Sequence, residues 1–116
     1  GNHASHAATA SKQLTAIMQS DPSSVCRTAA ARALCRLGQP KSALTVLTNE
    51  LQIGRQWERL HAAIVLDEID DQARPVIREM HAALKPRPDL YANGKYVVRV
   101  LNRALNQLEG TQRQVP

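Results

Sequence analysis

Apolar residues recur at helical spacing along most of this chain, and short polar stretches containing proline or glycine interrupt them. Beginning at Ser11, the spacing of Leu14 and Met18 predicts a first helix. The sequence SDPSS ends it, because proline disfavours helical geometry in the residue before it. In the next stretch, SSVCRTAAARALCRLGQP, the two leading serines can cap a second helix and Gly38 can stop it.

Four more helices follow by the same reasoning and complete three helical pairs. Leu44, Leu47 and Leu51 begin the second pair, which pauses near Gly54 and continues through RQWERLHAAIVLDEIDD. ARPVIREMHAALK, with Pro75 in its first turn, begins the third pair. YVVRVLNRALNQLEG completes it after the polar break PRPDLYANGK.

The composition favours one all-α domain. Apolar residues make up 43% of the 116 residues but aromatic residues only 3%, so the core must consist of closely packed Leu, Val, Ile and Ala. No apolar run is long enough to span a bilayer. We predict a helical domain at residues 11–110, preceded by a flexible tag or linker remnant at 1–10 and followed by a tail at 111–116.

The second helices of the three pairs match one another in register, which indicates an internal repeat. Small residues in the middle columns would let neighbouring helices approach closely, and larger residues would fill the layer between pairs. Each pair would then need its neighbour to bury its apolar face, as in a helical solenoid. The matched columns are Cys26, Glu58 and Val97; Ala30, Ala62 and Leu101; Ala33, Val65 and Ala104; Leu34, Leu66 and Leu105; and Leu37, Ile69 and Leu108.

The segment VCRTAAARALCRLG resembles the second helix of a HEAT repeat, in which a small apolar residue and an arginine precede an alanine-rich run, Ala-Leu and a closing Leu-Gly. The other two copies depart from this pattern, since Asp70 replaces the closing glycine in one and Arg99 sits one place late in the other. The resemblance implies a right-handed α-α superhelix of three HEAT-like helical hairpins, with six helices in all.

A second resemblance concerns function. RLHAAIVLDEIDDQARPVIREMHAALK and the C-terminal GKYVVRVLNRALNQLEGTQRQVP are similar to helical extensions that follow the catalytic domain in some bacterial, planctomycete-type sulfatases. This implies a C-terminal module of a larger sulfatase-like hydrolase, exported or periplasmic, whereas without such a parent the cytoplasm is expected. The sulfatase motif, Cys or Ser followed by x-Pro-x-Arg, does not occur, since Cys26 leads into RTAA and Cys35 into RLGQP. The chain is therefore expected to be non-catalytic and to use no cofactor.

Residues that could carry chemistry are few and scattered. Cys26 and Cys35 lie on one helix, about 13 Å apart along its axis, so they cannot form a disulfide with each other. Cys26 occupies a matched column and Cys35 a flanking position, and both are expected to be buried, small apolar residues. The carboxylates of LDEIDD are expected to be solvated at a helix end or paired with Arg74 or Arg78. His3 and His6 could bind a metal weakly, but a disordered N-terminal segment is the favoured interpretation. The cysteines have no further ligands at zinc spacing, and His61 and His81 have no predictable partner, so no metal site and no catalytic residue are predicted.

The arginines divide into two sets. Arg27 and Arg59 share one repeat position, and the resemblance to HEAT repeats implies that arginine there ties adjacent pairs together through carboxylates or backbone carbonyls. Positions two and six of each second helix instead point away from the core, at about 100° per residue, and would form a stripe on the concave face. The candidate binding residues of this concave stripe are Arg32, Leu60, Ile64, Arg99 and Arg103.

The predicted function is to bind or brace a protein, either the parent catalytic domain or a neighbouring subunit. An apolar pair between basic residues would suit an acidic and apolar surface. The net charge of +5 leaves nucleic-acid binding on a basic concave face as the alternative. The acidic cluster on the central pair and the absence of stacking aromatic residues from the stripe count against it. No membrane partner is predicted.

Overall fold

The computed structural model describes residues 3–85 and 94–111, and within these residues it contains helices and no β-strand. The prediction of an all-α fold with six α-helices is confirmed. A 3₁₀ helix precedes the fifth of them. The bounds are α1 His3–Ser20, α2 Ser24–Arg36, α3 Pro40–Ile53, α4 Gln56–Glu68, the 3₁₀ helix Asp70–Val76, α5 Ile77–Ala82 and α6 Gly94–Glu109.

Local sequence explains where α2 begins and ends. The hydroxyl of Ser23 accepts a hydrogen bond from the N–H of Cys26 (3.4 Å), one of the donors left free at a helix start. At the other end Gly38 has a φ of 78°, and the N–H of Gln39 donates to the carbonyl of Leu34 (2.9 Å), which closes a Schellman motif. The serine cap and the glycine stop that the sequence predicts are both present.

The other two second helices end in the same left-handed conformation. Gly110 follows α6 with a φ of 65°. Asp70 follows α4 with a φ of 52°, at the position that matches Gly38 in the repeat. Among the residues that the structure describes, Asp70 is the one non-glycine residue with a positive φ. All three second helices therefore end at a residue with positive φ, although in the third this residue stands one place later in the repeat.

Two elements differ from their predicted bounds. Helix α1 begins at His3, ahead of the predicted start at Ser11, in a stretch rich in alanine, the strongest helix former. The predicted fifth helix is divided, because Pro75 lies in the 3₁₀ helix and α-helical geometry begins only at Ile77. Proline lacks the N–H that a regular α-helix would use, whereas short 3₁₀ turns are common at helix starts. Residues 86–93 and 112–116, which include most of the predicted break and tail, lie outside the described residues.

The helices form two rows. Helices α2, α4 and α6 form the second-helix row, in which α2 contacts α4 and α4 contacts α6. Helices α1 and α3, the 3₁₀ helix and α5 form the first-helix row, and each row packs on the other. The molecule extends 48 × 33 × 17 Å. The smallest extent fits two helix layers, since axes about 10 Å apart with Cα atoms about 2.3 Å from each axis span roughly 15 Å.

The core lies between the two rows and largely follows the repeat. Two predicted columns are buried in all three pairs, namely Ala30, Ala62 and Leu101, and Leu34, Leu66 and Leu105. A third column, Ala31, Ala63 and Asn102, which is not among the predicted columns, is also buried throughout. The repeat register predicted from the sequence therefore holds at the centre of each second helix.

Burial near the two ends of α2 differs from the prediction. Cys26 and Leu37 were expected in the core, but Cys26 is exposed and Leu37 retains 43% of its exposure. Cys35 is buried, as expected. Helix α2 packs against α1, α3 and α4, so its buried arc extends through Ala31 to Cys35 and leaves the two predicted positions uncovered. Burial raises the pKa of the Cys35 thiol above its usual value.

Candidate binding surface

Arg27 joins the first helical pair to the second. Its guanidinium donates to the carbonyl of Asp21 (2.8 Å), in the turn between α1 and α2. The same group forms an ion pair with the carboxylate of Glu50 (2.8 Å), a buried residue of α3. The hydroxyl of Ser24 donates to the other oxygen of Glu50 (3.0 Å). The buried carboxylate is thus compensated by a charge and a hydroxyl from the preceding pair.

Arg59 makes the corresponding link from the second pair to the third. Its side chain is only 4% exposed and donates to the carbonyl of Leu51 (3.0 Å), near the end of α3, and to that of Ala83 (3.2 Å), just after α5. Both arginines therefore hydrogen-bond within their own pair and to the next one, at the same repeat position.

Two arginines of the predicted stripe form ion pairs with carboxylates of α4. Arg32 on α2 pairs with Glu68 (2.6 Å), and Arg103 on α6 pairs with Asp67 (2.7 Å). These acids were expected to be solvated or to pair with Arg74 or Arg78, so their partners differ from the prediction. Asp71 does pair with Arg74 (2.9 Å). The basic charge of the stripe at Arg32 and Arg103 is therefore largely neutralised.

The remaining stripe residues divide into covered and exposed positions. Ile64 lies between Arg32 and Arg103 in the repeat register and is 38% exposed. Leu60 is half-buried and packs against the core, so it is partly unavailable to a partner. Arg99 is exposed on α6. Across the three helices the structure thus leaves one apolar residue, Ile64, open between two ion pairs.

The most exposed apolar surface of the second-helix row was not identified from the sequence. Val25, Trp57 and Tyr96 are 57%, 65% and 57% exposed, and they occupy one repeat position on α2, α4 and α6. We call these three residues the exposed apolar row. The signal was present in the sequence, since each residue stands one place before the first matched column, but alignment of core positions gives no reason to examine it.

A shallow groove runs from Val25 of the exposed apolar row to the Arg32–Glu68 ion pair. It runs between α2 and α4 and has a volume of about 210 Å³. Thr28, at its base, is 4% exposed, and its hydroxyl oxygen has no hydrogen-bond partner within the described residues. The lining residues are Val25, Thr28, Ala29, Arg32, His61, Ile64, Val65 and Glu68. The groove is thus mainly apolar, with the Arg32–Glu68 pair at one end.

Two basic residues lie beside the exposed apolar row. Arg55 is the N-cap residue of α4 and Lys95 is in the first turn of α6, and both are exposed. Neither forms an ion pair within residues 3–85 and 94–111. The N-terminal ends of α4 and α6 therefore have a basic rim, Arg55 and Lys95, which outnumbers Glu58, the acidic residue in the first turn of α4.

Other ionisable groups lie apart from this surface. The imidazole of His81 on α5 is 2.9 Å from the carboxylate of Glu109 at the end of α6. Over the described ranges, no three His, Cys, Asp or Glu side chains come together as a metal site would require. No helix there has the length and apolar character needed to cross a bilayer.

Comparison of the chain with protein-family descriptions, with curated proteins and with solved structures found no match in any of the three.

Proposed function

We propose that this chain is a non-catalytic protein-interaction or scaffolding module whose second-helix row binds a partner protein. The exposed apolar row carries this proposal, because Val25, Trp57 and Tyr96 each leave more than half of their surface open, at 57%, 65% and 57%. Contiguous exposed apolar patches are typical of interaction sites, and Trp and Tyr are enriched at the energetic centres of interfaces.

The proposed architecture is a right-handed superhelix of three HEAT-like pairs, with the second-helix row as its concave face. The contacts of α2 with α4 and of α4 with α6, the buried columns and the links through Arg27 and Arg59 support it. In such a fold neighbouring pairs contribute equivalent residues to one continuous surface. The exposed apolar row fits this expectation, because its three residues stand at one repeat position on α2, α4 and α6.

The proposed partner is the catalytic domain of a sulfatase-like hydrolase or a neighbouring subunit of it. The likeness of the segments around α4 to α6 to sulfatase extensions supports this parent. A bracing contact would also cover the side chains that the isolated chain leaves exposed. The location of the protein would be that of the parent, exported or periplasmic.

The DNA sequence upstream of the Gly1 codon tests whether the parent is a sulfatase-like hydrolase. A reading frame with the motif Cys or Ser followed by x-Pro-x-Arg is expected, and its catalytic domain can then be expressed separately and titrated with this chain. A continuous frame without that motif would overturn the sulfatase assignment.

The interface is tested by substitutions at exposed positions. Trp57→Asp and Ile64→Asp should each weaken association with the hydrolase domain by about tenfold or more. Ile17→Asp, on α1 and similarly exposed at 41%, is the matched control and should leave association unchanged. Leu60 is unsuitable because it packs against the core, so an aspartate there would destabilise the fold. Unchanged affinity in the Trp57 and Ile64 variants, with normal circular dichroism, would overturn the proposal.

Nucleic-acid binding is the less supported alternative, because Asp67 and Glu68 already compensate two of the stripe arginines. A salt titration with random duplex DNA separates the two functions. Phosphate-driven binding weakens steeply as salt rises. We expect no measurable binding at about 150 mM salt.

A further inference from the structure

We infer that the segment of the partner that binds the exposed apolar row is an acidic, amphipathic α-helix lying across α2, α4 and α6. This inference rests on the proposed function and specifies the chemistry of the partner. It depends on the spacing of the exposed side chains, on the shape of the surface beside them and on the charges at its rim.

The spacing of the row favours a helix over a strand. Packed helices have axes about 8 to 10 Å apart, so Val25, Trp57 and Tyr96, one on each helix, follow one another at roughly that interval. Two turns of an α-helix advance about 10.5 Å, which brings residues i, i+7 and i+14 to the same spacing. Residues on one face of a strand recur about every 6.7 Å and would lose register with the row after one step.

The shape of the surface is also suited to a helix. Ile64 lies two turns beyond Trp57 on α4, so the apolar surface is about 10 Å wide along the helix axis. An α-helix with its side chains is about 10 to 12 Å across. The groove of about 210 Å³ between α2 and α4 opens beside this strip and can receive an apolar side chain from the helix above it. The Arg32–Glu68 and Arg103–Asp67 pairs border the strip on the other side.

The charges beside the row specify the polar face of the partner. Arg55 and Lys95 form a basic rim at one edge, whereas the arginines at the other edge are paired with carboxylates. Acidic residues flanking the apolar face of the helix would complement this rim and steer association. A second copy of this chain would bring a like-charged rim and a net charge of +5 against the same surface, which disfavours self-association.

The experiment uses the fluorescence of Trp57, the single tryptophan of the chain, as a direct report on the site. The probe is an acetylated and amidated peptide of about 18 residues, with leucine at helical spacing and glutamate elsewhere. We expect saturable binding with a blue shift of the Trp57 emission. One control peptide has the same composition but alternates leucine and glutamate, and a second replaces glutamate by lysine. Both should bind at least about tenfold more weakly.

Variants that retain Trp57 place the peptide on the row. Val25→Asp and Tyr96→Asp should each weaken peptide binding by about tenfold, and Ile17→Asp should leave it unchanged. Equal binding of the alternating or the lysine peptide would overturn the inference. So would a blue shift that appears with protein concentration alone and accompanies dimer formation in light scattering, or tighter binding to anionic vesicles than to the peptide.

Failure of this inference can be distinguished from failure of the proposed function. If the hydrolase domain binds in a Trp57-dependent manner but the helical peptide does not bind, the inference of an acidic partner helix is wrong. The proposed interaction function then remains. If substitution of Trp57 has no effect on the hydrolase domain, the proposed function fails.

Discussion

Asp70 has a backbone conformation that glycine adopts at lower cost. Its φ of 52° matches the positive φ of Gly38 and Gly110 at the ends of the other two second helices. A non-glycine residue in this region costs about 1 to 2 kcal/mol, although aspartate tolerates it better than most. The sequence identifies Asp70 as a departure from the repeat, and the structure identifies that departure as conformational strain.

We predict that Asp70→Gly increases the free energy of unfolding by about 0.5 to 1 kcal/mol, because relief of the left-handed strain exceeds the added flexibility of the unfolded chain. Urea denaturation measures this change in the free energy of unfolding. Asp71→Gly, at a position with no positive φ and with an ion pair to lose, is the control and should be neutral or destabilising. A lower free energy of unfolding for Asp70→Gly than for the unchanged protein would show that the backbone at Asp70 is not strained.

The two cysteines should differ in reactivity. Cys26 is exposed, whereas Cys35 is 2% exposed and burial raises the pKa of its thiol. The thiolate is the reactive form, so both access and ionisation disfavour Cys35. We predict that a thiol reagent modifies one cysteine of the native protein quickly and the second only after unfolding. Cys26→Ser should remove the fast phase. A fast phase that survives this substitution would contradict the register of α2.

At the scale of elements, the sequence predicts helices and their central columns well. The columns beginning with Ala30 and Leu34 are correct because helical periodicity and the repeat agree there. The edges of α2 and the division of the fifth helix at Pro75 could not be predicted, since they depend on which neighbouring helices cover each face. The fold is thus more predictable at the middle of each helix than at its ends.

The candidate surface is less predictable than the core. Ile64 is exposed as the helical angle requires, but the Arg32–Glu68 and Arg103–Asp67 pairs join side chains 36 residues apart. Periodicity within a helix contains no information about such partners. Of the two apolar residues of the predicted stripe, Ile64 is therefore exposed and Leu60 is partly covered, while Arg32 and Arg103 form intramolecular ion pairs.

Arg59 provides a test of the links between pairs. Replacing it with methionine removes the donors to the carbonyls of Leu51 and Ala83, both of which it reaches from a buried position. A buried acceptor left unsatisfied costs about 1 to 3 kcal/mol, so we predict that Arg59→Met destabilises the protein by about 2 to 4 kcal/mol. Urea denaturation checks this. The exposed Arg55→Met should change stability by less than about 0.5 kcal/mol, and equal effects would contradict a structural role for Arg59.

At the scale of the whole molecule, a thickness of 17 Å means that stability depends on contacts between successive pairs. Two helix layers have no central core deep enough to remain covered when one end is removed. Each second helix is covered by its neighbours in the row and by the first-helix row. The two ends nevertheless contribute unequally, because α1 and α6 bury very different amounts of apolar surface.

Removal of α6 should therefore be far more harmful than removal of α1. Helix α6 buries Val97, Leu101, Ala104, Leu105 and Leu108, whereas Met18 is the buried residue among the α1 side chains that the structure describes. At about 1.5 to 3 kcal/mol for each large apolar side chain, the loss of α6 removes burial comparable to the whole stability of a small domain, about 5 to 15 kcal/mol. It also uncovers the face of α4 that α6 contacts.

We predict that a chain ending at Lys85 loses its cooperative urea transition, while a chain beginning at Asp21 keeps one with a lowered midpoint. Circular dichroism at 222 nm, at roughly equal molar concentrations, provides the measurement for both. The Asp21 carbonyl that Arg27 uses is retained in the second chain, so the link from α2 to α3 stays intact. Equal loss of cooperativity in both chains would mean that the ends are equivalent and that burial in the two-row arrangement does not set the order of stability.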